Sequence, residues 1–159
     1  MSSLVLCTAK LLDKLDPEPT QVGNFDMTWC SNTFEHTQGH GIAFMECQTL
    51  FSFFSLTSEI CDPRDPFASL LDQSLASCGF SNRNRETLLG LCIPTTLGKL
   101  KNRSFSAMLN ARVRNMQDSI LGSDDWNDAI RKINDWPLKP IGFANSTDKM
   151  LHFLENSAN

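Results

Sequence analysis

The sequence predicts a mainly α fold: an irregular bundle of about five to seven helices, with a minor β element or an ordered loop in residues 20–41. Three observations predict it. Apolar side chains recur at three- and four-residue spacing through most of the chain, the period of a helix with one buried stripe. Asp, Ser and Pro stand where those stretches begin, and Gly or Pro where they end. The connections between them are short.

Residues 3–15 place Leu4, Leu11, Leu12 and Leu15, with Cys7 and Thr8, on one helical face. Asp16-Pro17-Glu18-Pro19 ends that helix, because proline disfavours helix in the residue before it. Residues 20–41 are polar, with Gly23, Gly39 and Gly41, and hold a short strand around Val22 to Trp29 or an ordered loop. In residues 42–56, Ala43, Cys47, Leu50, Phe51 and Phe54 share a helical face, with Phe44 and Phe53 beside it. The length of this run favours a buried helix, although Phe51 and Phe53 also alternate. Asp65 reads as an N-cap with Pro66 in the first helical position. Phe67, Leu70, Leu71, Leu75 and Cys78 follow, and Gly79 is the left-handed stop.

A short helix over 85–92 precedes Pro94. Ser104 caps a long helix to Leu121, whose inner face is Phe105, Met108, Leu109, Arg112, Val113, Met116 and Ile120; Gly122 ends it. Ser123 caps the next, with Asp124 and Asp125 near its positive end. Trp126, Ala129, Ile130, Ile133 and Trp136 form its stripe, and Pro137 closes it. Ser146 or Thr147 caps a last helix carrying Met150, Leu151, Phe153 and Leu154.

At 159 residues the chain fits one globular domain, 1–159, large enough to hold a core without staples. No apolar run approaches the roughly 20 residues that span a bilayer. Lys10, Asp13, Lys14 and Asp16 follow the N-terminal apolar stretch too closely for a secretory leader. The expected location is the cytoplasm or the nucleus, with no membrane partner. In that setting Cys7, Cys30, Cys47, Cys61, Cys78 and Cys92 are reduced and mostly buried thiols.

The one metal-like constellation is Cys30, His36, His40 and Cys47, two thiols and two imidazoles of the kind that hold structural zinc. Its spacing departs from the finger pattern, which needs two close cysteines on a turn. The competing reading is two loop histidines and two buried thiols, with no cofactor. The same residues supply, on paper, a Cys–His nucleophile pair for a small cysteine-dependent enzyme. No phosphate-binding glycine loop, H-E-x-x-H, EF-hand or G-x-S-x-G motif occurs. Asp124, Asp125 and Asp128 are explained by capping and the helix dipole.

Charge is segregated. The chain carries −4 overall, yet the stretch 83–114 holds Arg83, Arg85, Lys99, Lys101, Arg103, Arg112 and Arg114 against Glu86 alone. Such a face is solvated, paired with the acidic first half, or offered to a partner. The partner reading makes the protein a non-enzymatic protein-interaction or regulatory module that meets an acidic protein surface through Arg83, Arg85, Lys99, Lys101, Arg103 and Arg114. The alternative is a nucleic-acid binder, zinc-stabilised or not, that contacts phosphates with the same residues. The overall acidity and the lack of an exposed aromatic for base stacking weigh against it.

Asp135-Trp136-Pro137-Leu138-Lys139-Pro140 resembles a Trp-Pro element of nonstructural proteins of bunya-type viruses. The resemblance covers these six positions and assigns no site residue. It implies one setting, a virus-encoded accessory protein acting on a host partner.

Overall fold

A computed structural model describes residues 3–15, 25, 27–120 and 125–157. In chain order the elements are β1 (Ser3–Cys7), α1 (Ala9–Leu12), β2 (Met27–His36), β3 (Gly39–Glu46), β4 (Ser52–Thr57), α2 (Arg64–Ser77), α3 (Asn82–Cys92), β5 (Pro94–Lys99), α4 (Arg103–Ile120), α5 (Trp126–Asp135), a 3-10 turn (Lys139–Ile141) and α6 (Ser146–Ser157). The strands form one sheet in the order β4-β3-β2-β1-β5. β1 runs parallel to both neighbours, and β2, β3 and β4 form an antiparallel meander. The expected mainly α helical bundle is therefore corrected to a mixed α/β fold built on a five-stranded sheet.

The correction has a physical cause. Ile42, Ala43, Phe44 and Met45 are all buried, because both faces of β3 are covered. A strand covered on both sides loses the in–out alternation that betrays strands and reads as a continuous apolar run. The 42–56 stretch is thus two strands rather than a helix. Its reversal carries neither Gly nor Pro; Leu50 itself takes the left-handed backbone, at φ 58. The expected N-terminal helix over 3–15 is corrected to a strand, β1, held between β2 and β5 with Val5 and Cys7 fully buried, followed by the single helical turn α1. β5 follows α3 directly and was unforeseen. The strand considered near 22–29 begins instead at Met27 and runs to His36.

The helices of the second half follow the sequence more closely. α2 starts at Arg64, ahead of the expected Asp65 cap, with the Asp62 carboxylate accepting from the Arg64 amide at 2.9 Å. Gly79 takes φ 83 after its end. Asn102, rather than Ser104, caps α4 and accepts from the amides of Ser104 and Phe105. Asp125 caps α5, and Asn145 accepts from the Asp148 amide at 2.7 Å at the start of α6. Trp136, expected on the α5 stripe, lies beyond the helix and is 47% exposed. The helix-ending residues Asp16 to Pro19, the position of Val22, and Leu121, Gly122, Ser123 and Asp124 lie outside the described residues. Among the described residues no helix is long and apolar enough to cross a membrane.

Two helices sandwich the sheet. Phe67 of α2 meets Trp29, Phe44 and Phe53 edge-on, with ring centroids 5.1, 5.3 and 5.5 Å away. Asn32 has the opposite parity to Trp29 on β2 and meets Asn110 of α4, so α4 lies on the other face. α5 closes the outer edge of β4. The Asn134 amide accepts from the Ser52 N–H at 2.8 Å and donates to the Ser52 carbonyl at 2.7 Å, as a further strand would.

Candidate partner-binding face

The cations of 83–114 divide into three environments. Arg112 is in the interior, 3% exposed, on the inner face of α4 where the periodicity places it. Its guanidinium donates to five oxygens and to no carboxylate. Nε reaches Ser52 Oγ at 3.1 Å and Nη1 the Ile133 carbonyl at 2.7 Å. Nη2 reaches the Leu50 carbonyl at 3.1 Å, Ser146 Oγ at 3.1 Å and Asn134 Oδ1 at 3.3 Å. Burial pushes this group down to about 10, so it remains charged at neutral pH. Carbonyls near the C-terminal end of α5 carry the negative end of a helix dipole, which offsets the buried charge. Arg112 joins β4, α4, α5 and the start of α6. It is a structural cation.

Arg83 and Arg85 lie on α3, which packs against α2 and α6. Arg85 is paired: its Nε and Nη2 grip the Asp72 carboxylate at 2.8 and 3.1 Å. This pairing holds the Asp72 carboxyl below its ordinary range. Arg83 is exposed and lines a shallow depression with Thr87, Leu151 and Leu154.

Lys99, Lys101 and Arg103 gather where β5 becomes α4, and Arg114 lies about three turns further along α4. Lys99 ends β5 in register with Cys7, the last residue of β1. The Leu100 amide donates to the Cys7 carbonyl at 2.8 Å, which pins this connection to the end of the parallel strands. Lys101 and Arg103 follow, all three exposed. Arg103, Asn110, Arg114 and Gln117 succeed one another at seven, four and three residues and so share a stripe of α4. The stripe borders the sheet: Asn32 Nδ2 donates to Asn110 Oδ1 at 3.2 Å, and Gln117 Nε2 to the Glu35 carbonyl at 3.0 Å. Thr8 Oγ1 donates to Asn32 Oδ1 at 2.6 Å, so the end of β1 joins the same row. Among the described residues no carboxylate pairs with Lys99, Lys101, Arg103 or Arg114, whereas Arg64, Arg85, Arg131 and Lys132 all have one.

The four residues considered for zinc separate into two pairs. Cys30 and Cys47 bring their sulfurs to 3.2 Å. His36 and His40 flank the turn at the far end of the β2–β3 hairpin. Cys30 and His36 are six positions apart on β2, roughly 20 Å of extended chain, so the four cannot converge on one ion. His36 accepts from the Gln38 amide and packs edge-on against Trp126. The same separation leaves Cys30 without an imidazole. Among the described residues no group of three His, Cys, Asp or Glu side chains is placed to hold a metal.

Fold and site together define a mixed α/β domain with a cationic strip at the C-terminal end of its parallel strands, the edge where open α/β sheets commonly meet ligands. The chain belongs to the domain of unknown function DUF6933, whose family pattern it matches over residues 4–149. No curated protein and no solved structure matches it.

Proposed function

We propose that the protein is a non-enzymatic binding module that recognises an acidic protein surface through Lys99, Lys101, Arg103 and Arg114. The observation that carries this reading is the succession of these four exposed cations along the end of β5 and α4, none paired with a carboxylate among the described residues. Unpaired cations held by a strand end and a helix keep their attraction for an incoming anion and lose little freedom on binding. Arg85, engaged by Asp72, and Arg83, on a different helix, drop out of the contact set. An acidic protein is favoured over nucleic acid because the large exposed aromatics, Trp136 and Phe143, lie between α5 and α6 rather than beside the strip. The reading places the protein in the cytoplasm or the nucleus.

A direct test titrates the protein into a fluorescent poly-glutamate peptide and, separately, into a single-stranded RNA of equal charge, at low and at physiological salt. Saturable peptide binding that exceeds RNA binding is expected. Tighter RNA binding with a steep salt dependence would replace this reading by the nucleic-acid one. Silence toward both polymers at low salt would remove the strip as a binding face.

A further inference from the structure

Cys30 and Cys47 are free thiols in contact, yet they differ in access. Cys30 lies on β2 opposite Met45 of β3, and Cys47 follows Met45 by two residues, so the two cysteines are diagonal neighbours on one face of the sheet. Cys30 is wholly enclosed, while Cys47 is half-buried at the turn after β3. Of the two residues only Cys47 keeps exposed surface, and its sulfur touches that of Cys30. Among the described residues no other two cysteine sulfurs are in contact.

We propose that Cys30 and Cys47 form a reversible modification site, a dithiol that a low-molecular-weight disulfide of the glutathione type converts to an intramolecular disulfide. Cys47 loses its proton and attacks the small disulfide. The S–S bond of that reagent breaks, a mixed disulfide forms on Cys47, and one small thiol leaves with the proton. Cys30 then loses its proton and attacks the Cys47 sulfur, and the second small thiol leaves carrying that proton. Two protein S–H bonds are exchanged for one S–S bond, and the reagent is reduced to two thiols.

The site sits where a cross-link would be felt. The Cys47 amide already donates to the Thr28 carbonyl at 2.9 Å. The turn it opens places the Gln48 and Thr49 amides on the Glu46 carboxylate. It ends at left-handed Leu50, whose carbonyl takes Arg112. The Cys47 thiol is pushed up by its contact with Cys30 first, and by burial and Glu46 after that. Thiolate is therefore scarce at neutral pH, the exchange is slow, and the equilibrium position is the informative readout.

The experiment brings the wild-type chain to equilibrium in glutathione buffers from fully reduced to fully oxidised, then quenches with acid and alkylates. Intact mass and peptide mapping follow. The expected product has lost two hydrogens, contains one cross-link between the Cys30 and Cys47 peptides, and reverts in excess reduced glutathione. Cys30→Ser should instead stop at the glutathione adduct on Cys47, and Cys47→Ser should give neither product at these positions. A cross-link mapped to other cysteines, an adduct on wild-type Cys47 that never resolves, or an unchanged mass throughout the series would overturn the proposal. None of these readouts depends on the cationic strip.

Discussion

Arg112 and the Lys99–Arg103 strip carry the same charge, less than three turns of helix apart at their nearest, and stand in opposite environments. Arg112 is buried and directs all three of its nitrogens to oxygens of the fold. Lys99, Lys101 and Arg103 are hydrated and bind nothing among the described residues. A cation is a fixed part of the scaffold when its acceptors come from several elements that cannot move apart. It stays available to a partner when the scaffold holds its backbone and leaves its head to the solvent. Removing the first should cost stability, and removing the second should cost binding.

The largest expected effect is at Arg112. Arg112→Met keeps the stem and removes the guanidinium, leaving the Leu50 and Ile133 carbonyls and two serine hydroxyls to find other donors. A loss of about 3–5 kcal/mol is expected from urea unfolding. Arg112→Lys should recover part of it, because one ammonium cannot reproduce the fork. A smaller loss, about 2 kcal/mol, is expected for Asn134→Ala, which strips the edge of β4 at Ser52. If both variants unfold like the wild type, the scaffold half of the comparison fails.

The buried thiols sharpen the comparison from another side. Burial pushes Cys7 up from about 9 to about 12, and nearby Asp62 adds to the rise. Unfolded thiols release their protons first as pH climbs, so the folded state retains more protons and stability falls between pH 9 and 12. The slope is about 1.4 kcal/mol per pH unit for such a thiol. Unfolding free energies measured across this range should decline, and Cys7→Ala should flatten the decline.

The smallest stability effect concerns Thr33. Its hydroxyl, with Ser31 Oγ and Trp29 Nε1, is buried on one face of β2 without a hydrogen-bond partner among the described residues. Thr33→Val removes that orphan at constant shape and should leave stability unchanged or raise it by about 1 kcal/mol. A clear loss in urea unfolding would mean the hydroxyl is satisfied in solution by ordered water.

What the sequence revealed follows from which faces meet water. α2, α4, α5 and α6 have one solvated side, so their apolar stripes and capping residues stand out from the polar background. β3 is covered on both sides, which erases its alternation and makes Phe44 and Phe53 look like neighbours on a helix; they are stacked partners across β3 and β4, at 4.8 Å. The cationic excess of 83–114 was plain in the sequence, but its division was not. The pairing of Arg85 depends on Asp72 of α2, and the burial of Arg112 on oxygens from β4 and α5. Periodicity put Arg112 on the inner face of its helix and could say nothing of what receives it there.

On the proposed reading the strip recognises a partner and does not support the fold. The most direct measurement takes one variant, Lys99→Glu with Lys101→Glu and Arg103→Glu, through urea unfolding and through titration of the poly-glutamate peptide. A stability within about 1 kcal/mol of wild type is expected, as exposed unpaired charges imply, together with loss of peptide binding. Full peptide binding by a folded triple variant would contradict it.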